Sequence, residues 1–403
     1  MDMKNFIPFL FLLYVGFSYN GIAQKNHKIF NIDSSMPINE LKVDKSSSND
    51  RYTEVFSCLD GDTLFLFRAD YDYPKEIELF KYSVKSNTYS SCPVNIEKLL
   101  NDDGKLYNIL AFAVKDSVLL ISSSDGKHPI RNLNVFKKRG NTYSYDFSLP
   151  DSCDLYTAYI AFLPNGKLLG LKNYLFWKEK HTESTKLSIV NLENRNIEKT
   201  INVDFPLPLY TLIVPYTILS VNDSSVFFSQ RGDYRITEYD LELNEKRTLT
   251  NESITWYRMP QSFSDNVLSS SPYPANWCMS FNPVIDKYSC VQRIYANNDK
   301  LIVLYSKQDY SRYYYDVWRK ENGEWKLAEK EIKDYSSSVR HFYKRSLFGF
   351  NDDHFYLIGD KVLRLGVRPP DLGCHIKPVY MLKLKKYLMN NTIPYCVEVL
   401  SFK

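Results

Sequence analysis

Short blocks of consecutive apolar residues recur along the chain, each entered through a polar turn pair. The copies read Gly61-Asp62-Thr63-Leu64-Phe65-Leu66-Phe67, Asp116-Ser117-Val118-Leu119-Leu120-Ile121 and Asn165-Gly166-Lys167-Leu168-Leu169. Three more follow: Asn222-Asp223-Ser224-Ser225-Val226-Phe227-Phe228, Asn298-Asp299-Lys300-Leu301-Ile302-Val303-Leu304 and Asp352-Asp353-His354-Phe355-Tyr356-Leu357-Ile358. Each predicts a tight hairpin turn leading into a strand buried on both faces.

Anchored at Asp62, Asp116, Gly166, Asp223, Asp299 and Asp353, the copies are spaced by 54, 50, 57, 76 and 54 residues. A second turn follows each of the first five anchors, at Asn87, Asn141, Asn196, Asn244 and Gly323, between strands of mixed polarity such as Phe80-Lys81-Tyr82-Ser83-Val84. Two hairpin turns per unit give four antiparallel strands. A small sheet with two apolar faces must stack against neighbours, which is the condition of a β-propeller blade. The pattern predicts an all-β chain, a six-bladed β-propeller with four-stranded antiparallel blades. Seven blades are the alternative, with the extra one inside the long fourth step. Residues 361 to 403 lack a clear second turn, so the last outer strand is expected from the start of the mature chain, around Ile29-Phe30-Asn31-Ile32.

Composition supports strands: 32 Tyr and 24 Phe stand against 14 Gly, which favours β structure and leaves little for Gly-rich phosphate loops. A net charge of +4 over 403 residues is too small for a dedicated nucleic-acid surface. Lys4 precedes an apolar run from Phe6 to Phe17, followed by small residues at Gly21 and Ala23. That order predicts a signal peptide over residues 1–23 and a single mature domain over 24–403. About twelve apolar residues fall short of the roughly 20 that span a bilayer, and no other segment reads as a transmembrane helix. The expected location is the periplasm or cell surface.

The signal segment ending Ile22-Ala23-Gln24, the turn-plus-strand repeats and the strand Tyr239-Asp240-Leu241 together resemble the exported TolB-like six-bladed propellers of Bacteroidetes, many of them domains of unknown function. The resemblance spans the mature chain and is architectural. It implies a periplasmic or surface protein and carries over no catalytic residue.

Seven cysteines in an exported chain allow at most three internal bridges. Pairs close in sequence are Cys58 with Cys92, Cys278 with Cys290 and Cys374 with Cys396, leaving Cys153 over; the competing reading makes several of them small buried apolar residues. No C-x-x-C or regular Cys/His spacing suggests zinc.

The long fourth step holds an insertion at about 254–288 carrying Trp256, Tyr257, Tyr273 and Trp277. Flat aromatic faces on a loop suit sugar rings or protein hot spots, so these four are the candidate ligand-binding residues, against the alternative that they pack the insertion onto the blades. A second aromatic group, Tyr310, Tyr313, Tyr314, Tyr315 and Trp318 with Arg312, follows the fifth apolar strand. No G-x-S-x-G, H-E-x-x-H, P-loop or G-x-G-x-x-G occurs. Weak catalytic candidates are His341, Tyr343 and Arg345, a set able to hold an acidic sugar and move a proton, though an ordinary charged edge strand reads the same way. Asp70 with Asp72, and Asp102 with Asp103, offer calcium ligands but read as hydrophilic turns. No metal or cofactor is expected. The sequence favours a non-catalytic module binding a glycan or a protein, with a polysaccharide lyase or hydrolase as the alternative.

Overall fold

The structure is a computed structural model that describes residues 30–44, 53–60, 63–70, 77–83, 86, 88–124, 131–149, 157–172, 185–203, 219–229, 232–260, 262, 288–307, 313–334, 347–351, 354–360 and 392–402. Apart from a 3-10 turn at Glu97–Leu99, its named elements are strands. β1 (Phe30–Asp44) comes first. Then β2 (Thr53–Asp60), β3 (Thr63–Asp70), β4 (Ile77–Ser83) and β5 (Thr88–Val94) pair in succession. So do β6 (Asn108–Lys115), β7 (Val118–Ser124), β8 (Arg131–Arg139) and β9 (Thr142–Ser148). The third group is β10 (Thr157–Phe162), β11 (Leu168–Lys172), β12 (Thr185–Asn191) and β13 (Asn196–Val203). The fourth is β14 (Leu219–Val221), β15 (Val226–Ser229), β16 (Arg235–Tyr239) and β17 (Glu245–Thr250). The fifth is β18 (Cys290–Ala296), β19 (Lys300–Ser306), β20 (Tyr313–Glu321) and β21 (Glu324–Asp334). Finally β22 (Leu347–Asn351), β23 (His354–Asp360) and β24 (Thr392–Phe402) take β1 as their fourth strand. The first two groups merge into one eight-stranded sheet through a single parallel pair, Val94 with Tyr143.

The hairpins fall where the repeat places them. Asp60 faces Thr63, Lys115 faces Val118, Val221 faces Val226 and Asn351 faces His354. Asp116 at φ 53 and Gly166 at φ 83 supply the left-handed backbone these turns require. Among the second turns, Asn322 and Gly323 both have positive φ between Glu321 and Glu324, the pattern of a type I′ hairpin.

The continuous apolar blocks are buried on both faces because each sheet is sandwiched between two others. Along β7, Leu119 and Ile121 enter the core shared with the first group while Leu120 enters the core shared with the third. Along β15, Val226 and Phe228 pack toward the third group and Phe227 toward the fifth. Strand alternation thus assigns successive side chains to successive interfaces, and each fully buried Leu or Phe stabilises by about 1.5–3 kcal/mol. The first strands lie side by side around the centre: β2 against β6, β6 against β10, β14 against β18, β18 against β22, and β22 back against β2.

Polar turn residues join neighbouring groups at their ends. Lys115 Nζ donates to the carbonyls of Leu163 and Pro164 at 2.8 and 2.9 Å. Asn222 Nδ2 donates to Asn297 O at 2.8 Å. The outer end is tied as well: Trp325 Nε1 donates to the buried Glu238 Oε2 at 3.0 Å, and Arg247 bridges Glu238 and Glu324.

The expected closure by the chain start is present. Phe30 pairs with Phe402, and the pairing runs on to Asp44 opposite Thr392. The pairing of Cys58 with Cys92 is corrected. They lie on β2 and β5 with β3 and β4 between, and three strand spacings put them roughly 14 Å apart, about twice the reach of a disulfide. Both are free thiols in the core between the first two groups. Burial pushes the Cys58 thiol far above its ordinary range, and Cys92 Sγ donates to Asn141 O at 2.7 Å. Cys290 is buried; Cys153, Cys278 and Cys374 lie outside the described residues. Cys396, on β24, stands opposite Pro37 and Gly359.

Candidate functional site

Antiparallel strands return the chain to the same end at every second step. In each group the turns between first and second strands, and between third and fourth, therefore leave from one end. The connections between second and third strands, and from one group to the next, leave from the other. The first kind are two to five residues long; the second kind reach 39 residues, at 251–289. Of the candidate ligand-binding residues, Trp256 and Tyr257 lie in the segment that leaves β17. Tyr273, Trp277, His341, Tyr343 and Arg345 lie outside the described residues, as do Tyr310 and Arg312.

The base of the long connection is clamped. Tyr257 N–H donates to Ser289 Oγ at 3.0 Å and Ser289 N–H donates back to Tyr257 O at 2.8 Å, so residues 32 positions apart hold the two ends of the loop together. Trp256 is half-buried. Its indole N–H donates to Gly232 O at 2.9 Å, and its ring meets Tyr234 edge-on at 5.8 Å and Tyr305 at 6.0 Å. Trp256 thereby fastens the loop to the sheets, while Tyr257 is 40% exposed. Beside it Arg258 forms an exposed pair with Asp233 at 3.0 Å.

Beneath this end lies a buried carboxylate that sequence reasoning missed. Asp316 Oδ1 accepts from Tyr305 OH at 3.0 Å and from the Glu331 N–H at 2.7 Å; Oδ2 accepts from Asn251 Nδ2 at 2.7 Å. Trp318 Nε1 donates to Tyr234 OH at 3.2 Å. Burial, reinforced by the charge of Asp316, holds the hydroxyls of Tyr234 and Tyr305 well above the ordinary phenol range. Both hydroxyls therefore stay protonated near neutral pH and serve the network as hydrogen-bonding groups. The visible signal was the single acid in Tyr313-Tyr314-Tyr315-Asp316-Val317-Trp318, where alternation buries a charge among aromatics. At the edge of this network Lys307 pairs with Glu331 and sits over the Tyr314 ring at 4.9 Å.

Asp102 and Asp103 form a turn: Asn101 Oδ1 accepts from the N–H groups of Asp103 and Lys105 at 3.0 and 2.9 Å, with Gly104 at φ 71. Asp70 ends β3, and Asp72 lies outside the described residues. No helix among the described residues is long and apolar enough to cross a membrane.

No family model matches the chain, and no curated protein matches it in sequence. Solved structures resemble it to different degrees. A candidate exported protein from Bacteroides fragilis aligns over 91% of this chain and 97% of its own, with 13% identity and a TM-score of 0.50. A member of the DUF4221 family from Bacteroides vulgatus covers 94% and 99% at 9% identity and a TM-score of 0.48. The β-propeller domain of the trilobed protease from Pyrococcus furiosus covers 76% and 89% at 9% identity and a TM-score of 0.35. The four-stranded groups, the ring of first strands and the closing strand make the architecture propeller-like and all-β.

Proposed function

We propose that this chain is an exported six-bladed β-propeller of the TolB-like kind that acts as a binding module and catalyses no reaction. Its ligand, a glycan or a protein, is engaged at the end of the ring that carries the long connections. The observation behind this reading is the clamp between Tyr257 and Ser289, at the end opposite the tight turns, with Tyr257 exposed beside it. A rigid scaffold presenting long loops at one end is the usual arrangement for recognition. Taking the eight-stranded sheet as two units joined by one bridge gives six blades. Export is supported by the residue pattern over 1–23 and by the naming of the Bacteroides fragilis protein of similar fold as a candidate exported protein. Tyr273 and Trp277 belong to the proposed binding loop with Tyr257, and Trp256 serves as its anchor.

A glycan array on the purified mature protein, run beside an assay for new reducing ends or unsaturated products, tests the reading. Capture without product is the expected result. Product formation overturns the non-catalytic reading and turns attention to His341, Tyr343 and Arg345, whereas silence in both arms makes the ligand a protein. Mass spectrometry of exported material should give an N-terminus at Gln24, and retention of Phe6 to Phe17 overturns the export claim.

A further inference from the structure

Two Asn-Gly pairs stand in the tight turns at the end of the ring opposite the long connections: Asn165-Gly166 between β10 and β11, and Asn322-Gly323 between β20 and β21. All four residues are exposed. Such a pair carries its own chemistry, because the glycine nitrogen, once deprotonated, can attack the asparagine Cγ with no side chain on the following residue to obstruct it.

The two turns hold these atoms differently. In the first, the Gly166 N–H donates to Leu163 O at 2.9 Å, and Asn165 Oδ1 accepts from the Lys167 N–H at 3.1 Å. Nucleophile and carboxamide are both engaged, and the turn must open before they can react. In the second, Glu321 and Glu324 pair with each other and leave Asn322, at φ 52, and Gly323, at φ 83, as the two-residue tip of the hairpin. Neither the Gly323 N–H nor the Asn322 carboxamide has a hydrogen-bond partner among the described residues.

We propose that Asn322 is a site of spontaneous covalent modification, converted through a cyclic imide to aspartate and isoaspartate, while the fold protects Asn165. Hydroxide removes the Gly323 N–H proton. The nitrogen then bonds to Asn322 Cγ, and Nδ2 takes up a proton and leaves as ammonia, closing a succinimide ring. Water adds to one of the two ring carbonyls. Cleavage of the new N–Cγ bond gives aspartate; cleavage of the original peptide bond gives isoaspartate, with the chain running through the β-carbon. One water is consumed and one ammonia released, and nothing is oxidised or reduced.

The product places a further carboxylate between Glu321 and Glu324. Arg247 bonds Glu324 at 2.7 Å and the buried Glu238 at 3.1 Å, and Glu238 also receives the Trp325 indole N–H. Isoaspartate adds a backbone atom to a turn whose length sets the hairpin register. The modification therefore acts on the outer contact between the fourth and fifth groups, whatever the ring binds at its other end.

The test incubates the purified mature protein at mildly alkaline pH, folded and in guanidinium chloride. Both sites are followed by peptide-mapping mass spectrometry and by enzymatic methyl labelling of isoaspartate. In guanidinium the two sites should convert at rates within about twofold of each other, because the unfolded chain keeps little of either turn. In the folded protein Asn322 should convert about tenfold or more faster than Asn165, equivalent to about 1.4 kcal/mol, which is the size expected for two hydrogen bonds released before ring closure. Asn322→Gln should remove the isoaspartate signal of the folded protein while leaving the Asn165 rate in guanidinium unchanged. Equal folded rates at the two sites, or faster conversion of Asn165, overturn the proposal. So does a folded protein whose Asn322 stays intact for as long as the unfolded chain takes to convert.

Discussion

Asn298 Nδ2 donates to Asp223 Oδ2 at 2.6 Å, joining the first hairpin turns of two neighbouring strand groups across 75 residues of sequence. The same polar pair that shapes each turn also ties one unit to the next, as Asn222 does with Asn297 O. The repeat is conspicuous in the sequence for two reasons at once: the backbone needs turn formers there, and the ring needs lateral polar contacts.

A double-mutant cycle on Asp223→Ala and Asn298→Ala should therefore show a coupling of about 0.5–1 kcal/mol in urea unfolding, the range for an exposed charge-assisted bond. A coupling below about 0.2 kcal/mol would leave the two turns energetically independent.

Asp316 carries a larger penalty. Replacing it with Ala strands the hydroxyl of Tyr305, the Asn251 amide and the Glu331 N–H, all of which it now satisfies. A loss of about 3–5 kcal/mol is expected, whereas Tyr305→Phe, which removes one donor, should cost about 1–1.5 kcal/mol. Equal small losses for the two variants would show that the network does not act as a unit.

This network also marks where sequence reading stops. The turns were legible because positive φ at Asp116 and Gly323 restricts which residues fit. The two-faced burial was legible because Leu119, Leu120 and Ile121 leave no polar face. The closing strand followed from the missing turn after His354. In contrast, the partners of Asp316 come from three segments, and one of them, the Glu331 N–H, arrives through a register slip that no periodicity announces. Likewise, aromatic content flagged Trp256 and Tyr257 equally. Only the direction of the Trp256 indole toward Gly232 O separates the anchor from the exposed ring.

Tyr143 offers a test with the opposite sign. Its hydroxyl is buried and finds no partner among the described residues. Burial first, then the nearby thiols of Cys92 and Cys58, push its ionisation up to about 12. Because the folded value exceeds the unfolded value of about 10, the associated stability is present below pH 10 and is lost as pH rises from about 10 to 12. Tyr143→Phe should be neutral or stabilising by up to about 1 kcal/mol at pH 7 and should lessen the alkaline loss. A clear destabilisation at pH 7 would reveal a partner for the hydroxyl.

The ring is fastened where β1 joins β24, and this makes the most direct prediction about the fold. Asn31 stands opposite Ser401 in that pairing. Cysteines at positions 31 and 401 should therefore oxidise to an intramolecular bridge, visible as faster migration without reductant. The bridge closes a loop of several hundred residues, for which chain entropy predicts stabilisation of about 6 kcal/mol, reduced by any strain. Deleting residues 24–45 should have the reverse effect. β24 would become an unpaired edge, the last group would keep three strands, and the thermal midpoint should fall with gain of oligomers in size-exclusion chromatography. A truncated chain that melts like the intact one as a monomer would mean that β1 does not close the ring, whatever the bridge shows. A bridge that forms and leaves the midpoint unchanged would mean that the two ends stay together in the unfolded state, since a cross-link acts chiefly by restricting that state.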